Sequence, residues 1–308
     1  MIVFGPVPSR RLGQSLGINN IPPKACSYSC VYCQIGRTNH MRVKRCTFYK
    51  PEEIFAQTKQ KLSDIGGERV DYLSFVPDGE PTLDIHLGRH IDLLRSLGIK
   101  IAVITNASLL WMDEVKEDLL KADWVSVKID AASHEVWKKI DRPHGALELN
   151  KVLQGAVDFA KRFQGELVTE TMLVRGINDD VAHVKETADL IQCINPNKAY
   201  LLVPTRPPAE TGVVKPTAEK LRNAYDIFRQ KGIQAECIAG DEEDSFYFAD
   251  DFVNDLLSIS AVHPVREDVI LNLLEKRGLD WSVIKQMIDS KLICSYEYNG
   301  KRFYKRNL

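Results

Sequence analysis

The sequence predicts an α/β fold with a parallel sheet, followed by a small α+β appendage. Three observations lead there. Short apolar, β-branched runs alternate with helical periodicity through six units. The 308 residues suit one large α/β domain with an addition. Beyond residue 247 the pattern changes to helices followed by a hairpin signal.

The strands fall at 15–19, 70–76, 100–105, 124–130, 166–174 and 199–203. Helical stretches lie between them at 51–65, 84–97, 113–121, 147–163 and 179–193, and another follows at 217–231. Pro51 in a first turn and Gly98 just past a helix end are the expected start and stop signals. Right-handed crossovers then gather the chemistry at the C-terminal ends of the strands. Farther on, 251–260 and 266–277 are helical by pattern, separated by His263-Pro264, and Gly278 stops the second. A third helix at 281–291 is amphipathic through Val283, Ile284, Met287 and Ile288. Residues 293–304 alternate around Asn299-Gly300, a hairpin turn. Three helices and a hairpin resemble a winged helix. The division expected is 1–247 and 248–308; the second part, at ~60 residues, is short for a core of its own and should dock on the first.

Hydrophobic residues at 44% and charged residues at 27% are near the globular average, which excludes a disordered or collagen-like chain. No run approaches the ~18 apolar residues of a membrane span, and the first residues make a poor secretory signal. A soluble, cytoplasmic protein without membrane partners is expected. Net charge is −1, but residues 1–50 carry Arg10, Arg11, Lys24, Arg37, Arg42, Lys44, Arg45 and Lys50 with no Asp or Glu. A stretch from Asp241 to Asp255 is correspondingly acidic. The basic excess suits an anionic ligand, or a solvated surface balanced from elsewhere in the fold.

Of seven cysteines, three lie within eight residues as Cys26-Ser-Tyr-Ser-Cys30-Val-Tyr-Cys33. The odd count and the clustering argue against a disulfide framework. Pro22-Pro23 breaks any preceding helix, so the trio sits on a loop. A loop of this kind can fold its thiolates around an iron–sulfur cluster, and three ligands leave one iron open. A zinc site would need a fourth ligand, for which Cys46 is the candidate. A redox pair of Cys30 and Cys33 would leave Cys26 without a role. Cys193, Cys237 and Cys294 lie among apolar residues and read as core fillers.

Cys26-x3-Cys30-x2-Cys33, with Tyr32 before the last cysteine, resembles the signature of the radical S-adenosylmethionine (SAM) superfamily. The resemblance implies a partial (β/α)6 barrel and one 4Fe–4S cluster on Cys26, Cys30 and Cys33. The fourth iron would be chelated by SAM, and a reductant such as flavodoxin or ferredoxin would supply the electron. Asp78-Gly79-Glu80-Pro81 resembles the Gly-Gly-Glu segment that meets the SAM amino group, with Asp78 in place of the first Gly. By the same resemblance Tyr32 packs near the adenine, and Thr105, Asn106, Lys128 and Asp130 reach the ribose and carboxylate. Arg175 could pair with a carboxylate and Arg206 could face substrate.

Within that superfamily the pattern looks closest to the branch of wyosine-type tRNA-modifying enzymes. Archaeal wyosine synthases carry further cysteines upstream for a second cluster; here none precedes Cys26. Three activities follow as expectations. The first is modification of RNA, held through the basic N-terminal segment and a wing bearing Lys301, Arg302, Lys305 and Arg306. The second is action on a peptide or protein, including glycyl-radical activation. The third is a non-catalytic iron–sulfur regulator.

Overall fold

A computed structural model describes residues 2–239 and 252–307. The chain opens with β1 (Val3–Ser9) and β2 (Gly13–Ile18), then two short strands, β3 (Ala25–Cys26) and β4 (His40–Met41). There follow α1 (Pro51–Asp64), β5 (Tyr72–Phe75), α2 (Leu87–Arg95), β6 (Lys100–Thr105), α3 (Asp113–Leu119) and β7 (Trp124–Lys128). Next come α4 (His134–Ile140), α5 (Leu149–Arg162), β8 (Glu166–Met172), α6 (Val181–Ile194), β9 (Lys198–Leu202), α7 (Ala218–Gln230) and β10 (Ala235–Ile238). The last elements are α8 (Phe252–Val262), β11 (Val265–Arg266), α9 (Glu267–Lys276), α10 (Ser282–Asp289), β12 (Ile293–Tyr298) and β13 (Lys301–Arg306).

The main sheet has the order β1-β2-β5-β6-β7-β8-β9-β10, parallel throughout except for β1 against β2. This is the α/β partial-barrel arrangement of the six expected strands, with one further strand at each edge. β1 was hidden because Gly5, Pro6 and Pro8 read as turn residues; an edge strand tolerates them. Helices cover one face of the sheet. Leu73, Phe75, Val103, Val125 and Val127 meet Leu87, Ile91, Val115, Val152 and Phe159 there in one contiguous core. On the other face Leu12, Ala102, Trp124, Val168 and Tyr200 fill the barrel floor, Leu12 coming from the β1–β2 turn.

Helix starts follow local chemistry. Asp180 accepts from the Ala182 and His183 N–H groups at the head of α6, and Thr217 accepts from Lys220 N–H at α7. The helix expected from residue 84 begins at Leu87, because Asp84 turns its carboxylate to His86 N–H and buried His90 instead.

After α8, the strands β11-β13-β12 form a small antiparallel sheet beside α9 and α10. Its core holds Leu256, Ile259, Ile270, Ile284, Ile293 and Tyr304, and Val7 of β1 packs against it. Lys61 of α1 pairs with Asp255 at 3.2 Å. The expected boundary at 247/248 and most of the acidic stretch from 241 lie outside the described residues. Among the described residues no helix is long and apolar enough to cross a membrane.

Candidate active site

A cavity of about 310 Å³ lies at the C-terminal ends of the parallel strands. Cys26, Cys30 and Cys33 line it from the loop after β2, Gly79 and Glu80 from the loop after β5, and Thr105 and Asn106 from the end of β6. Lys128 and Arg206 line it from the ends of β7 and β9.

The cysteine loop is a string of tight turns. Lys24, at φ +63°, turns the chain into β3. Cys33 N–H donates to Cys30 O at 3.1 Å and Gly36 N–H to Cys33 O at 3.0 Å. Burial, with the Glu80 charge second, pushes the Cys26 thiol up to about 12; burial and then Asp141 push Cys30 well above its ordinary value. Such thiols ionise readily when a bound cation compensates the thiolate. Among the described residues no three His, Cys, Asp or Glu side chains are arranged around a single ion. Three sulfurs spread around a shared cavity suit a 4Fe–4S cluster, in which each thiolate takes a different iron. Cys46 is not a lining residue: Arg42 Nη1 lies 3.2 Å from its sulfur, and its backbone is tied to Leu83 and Ile85.

Gly79 is needed for packing as well as for the cavity. A Cβ there would stand 1.9 Å from the Ala25 carbonyl oxygen, and Glu80 N–H donates to that same oxygen at 3.0 Å. The Glu80 carboxylate is a buried strut. Its Oε1 accepts from Thr105 Oγ1 and Thr82 Oγ1, both at 2.6 Å, and from Thr82 N–H; its Oε2 accepts from Asn106 N–H at 2.7 Å. Burial nevertheless lifts its pKa above the ordinary carboxylate value. The Thr105 hydroxyl is thus committed to Glu80 rather than to a ribose. Asn106 Nδ2 donates to Ser27 Oγ at 2.9 Å and lies 3.5 Å from Cys26 Sγ, joining β6 to the first cysteine.

Tyr32 forms a wall of the cavity. Its hydroxyl bonds Asp130, and Lys128 Nζ stands 4.9 Å from its ring centroid. Asp130 sits behind Tyr32 and also accepts from Met172 N–H at 2.7 Å; it does not line the cavity. Burial works against the Lys128 ammonium, but Asp130 and Glu170 more than offset it and hold its pKa above the ordinary lysine value.

Other expected residues fall elsewhere. Arg175 is exposed and outside the cavity, because β8 stops at Met172 and the chain then turns; its N–H is spent on Val214 O. Cys193 is exposed on the outer side of α6, whose inner side is Val184, Thr187, Ala188 and Ile191, so it fills no core; Cys237 and Cys294 are half-buried. The N-terminal basic excess is largely tied down. Arg37 pairs with Glu210, Arg45 pairs with Asp118, and Lys24 donates to Ile35 O. On the expected wing, Arg302 pairs with Glu297 and Glu267, and Lys305 turns inward to Gln34 O.

Two cavity residues escaped the sequence reading. Glu170 of β8 is buried, bonded by Arg11 and by Ser126 Oγ at 2.8 Å, and lies 4.0 Å from Lys128 Nζ. Burial opposes its charge, yet Arg11 and Lys128 hold its pKa below the ordinary value. A charged residue in the middle of a buried parallel strand was the available signal for Glu170. Arg11 reaches it from the β1–β2 turn, across 159 residues of sequence, and carries no local signature.

The chain is similar to known proteins in sequence and in fold. The family model of the radical SAM superfamily matches residues 20–191. The whole chain is 43% identical to a UPF0026 protein of Methanocaldococcus jannaschii, covering 96% of it. Over 222 residues, 68% of this chain and 61% of the relative, it is 28% identical to a probable dual-specificity RNA methyltransferase RlmN of Thermotoga maritima. Among solved structures, a radical SAM methyltransferase from Sphaerobacter thermophilus superposes with TM-score 0.57 at 16% identity, over 75% of this chain and 68% of that one. TYW1 with a lysine-pyruvate adduct bound gives 0.54 at 15%, over 70% and 73%. At such identities these two likenesses are of fold.

Proposed function

The chain belongs to the radical SAM superfamily of enzymes, and we propose that it holds one 4Fe–4S cluster on Cys26, Cys30 and Cys33, binds SAM beside it and acts on RNA. The observation that carries the reading is that all three sulfurs share one cavity with Gly79, Glu80 and Asn106. Cys26, Cys30 and Cys33 would hold the cluster, which would supply one-electron reductive cleavage of SAM and so the means to abstract a hydrogen atom from substrate. The chain's own task is to fix geometry and exclude water. Glu80 Oε2, with one bond to Asn106 N–H, retains lone-pair capacity for an ammonium. The Lys128 ammonium offers a counter-charge to a carboxylate, and Tyr32, braced by Asp130, offers a face to adenine. Ile35, Val76, Ile104, Met172 and Leu202 supply apolar wall between the polar groups.

RNA is favoured as substrate by a groove of about 650 Å³ between the cysteine loop and β12–β13. It is lined by Lys24, His40, Lys305 and Arg306 together with Tyr296. Lys24 and Lys305 are bonded to cysteine-loop carbonyls, so Arg306 beside Tyr296 is the pair that suits a phosphate backbone with a stacked base. The order α8-β11-α9-α10-β12-β13 supports reading 248–308 as a winged-helix domain. The similarity to a protein described as an RNA methyltransferase points the same way. The test is anaerobic reconstitution with SAM and dithionite, with and without cellular RNA. Formation of 5′-deoxyadenosine, raised by RNA, is expected; no product at all rejects the radical chemistry, and no RNA binding at low salt rejects the substrate.

A further inference from the structure

The turn that carries the third cysteine is held by two ammonium groups from opposite ends of the sequence. Lys24 donates to Ile35 O, and Lys305 of β13 donates to Gln34 O at 3.0 Å. These are consecutive carbonyls directly after Cys33. A Cβ built on Gly36, at φ +96°, would lie 3.1 Å from Lys24 Nζ and 3.8 Å from Lys305 Nζ, so both converge on one face of the turn. Burial lowers Lys24 to about 8 and Lys305 below the ordinary lysine value, while the Cys33 sulfur is the strongest influence favouring each charge. The carboxylate facing both is Asp78, one of whose buried oxygens has no hydrogen-bond partner. Lys24 and Lys305 thus converge on the turn that carries the third sulfur.

β13 is anchored to hold its lysine there. Tyr298, on the paired strand β12, donates its hydroxyl toward Pro204 O and Val213 O at 3.4 and 3.3 Å. Arg206 from the end of β9 reaches both Gln34 Oε1 and His263, the latter just before β11. The small sheet is therefore braced against the loop after β9 through Tyr298, and against the cysteine loop through Lys305.

We infer that Lys305, with Lys24, is a positioning residue of the cluster site that raises the reduction potential of the cluster by placing positive charge beside the Cys33 thiolate. The physical basis is that a thiolate-ligated cluster gains negative charge on reduction, so a nearby fixed cation favours the reduced state. The inference rests on the cluster reading above, and the experiment separates the two. The full chain is reconstituted anaerobically, its iron and sulfide are counted, and the midpoint is measured by dithionite titration with electron paramagnetic resonance. Lys305→Met is expected to keep its cluster while the reduced-to-oxidised ratio at fixed potential falls about tenfold, a ~59 mV downward shift for one electron. Lys305→Arg should restore the midpoint, and Lys24→Met should lower it independently should the β13 variant fail to fold. Unchanged midpoints in lysine-to-methionine variants with full iron content overturn the inference and leave the cluster reading intact. A wild-type protein that takes up no cluster overturns both.

Discussion

The Cα of Gly79 faces the carbonyl oxygen of Ala25 so closely that a methyl group there would stand 1.9 Å from it. Ala25 precedes Cys26, the first of the three cavity cysteines, so the loop after β5 and the cysteine loop are locked backbone to backbone. Gly79→Ala must separate them, since backbone on both sides cannot yield as a side-chain tip can. A loss of about 3 kcal/mol is expected, the upper range for overpacking, together with reduced iron uptake. Denaturant melts and iron counts check it; an unchanged midpoint with full iron would show that the loops can part freely.

Glu80→Gln tests the strut. Each carboxylate oxygen accepts a backbone N–H, Thr82 at Oε1 and Asn106 at Oε2. Either orientation of the amide therefore points its NH2 at a donor. The expected cost is about 1–3 kcal/mol, with weaker SAM binding by calorimetry. Wild-type stability in the variant would mean that these bonds contribute little.

Cys30→Ala and Cys46→Ala should behave oppositely. Cys30 lines the cavity and Cys46 does not. The first is expected to abolish the brown colour and 5′-deoxyadenosine formation, the second to retain both. Loss of colour in Cys46→Ala would make it a fourth ligand and close the open iron.

Asp141 supplies a pH test. It is buried, and burial followed by the Asp130 charge holds its carboxyl well above the ordinary range. A raised pKa means the fold binds this proton more tightly than the unfolded chain. The contribution to stability is thus complete below the unfolded value of ~3.9 and is lost as pH rises through the higher folded value. Asp141→Asn keeps the shape and removes the titration. Its gain in melting temperature over wild type, before iron loading, should be larger at pH 8 than at pH 5. Equal gains would place the Asp141 proton elsewhere.

For RNA, Arg306→Ala should weaken binding a few-fold and reduce the salt slope by about 1, because Arg306 lines the open groove. Arg302→Ala should do less, since Arg302 is already paired with Glu297 and Glu267. Filter binding across a salt series distinguishes them; equal slopes for wild type and Arg306→Ala would exclude a phosphate contact there.

Much of this architecture was legible locally. Val103, Val125 and Val127 belong to buried parallel strands that read as continuous apolar runs, and the three cysteines announce themselves by spacing. What escaped is long-range. The inward turn of Lys305 depends on strand pairing and docking that join positions 271 residues apart, whereas its neighbours in sequence suggested a solvated wing. Glu80 looked like a free ligand for an ammonium, but Thr82, Thr105 and Asn106 surround it only once β5 and β6 lie side by side. Arg175 misled because a strand end predicted at 174 falls at Met172.

The span between Lys305 and Gln34 bears on biogenesis. A nascent chain carrying the entire barrel still lacks the β13 cation that fastens this turn. The third thiol therefore sits in a turn that is fastened only once β13 has paired and docked.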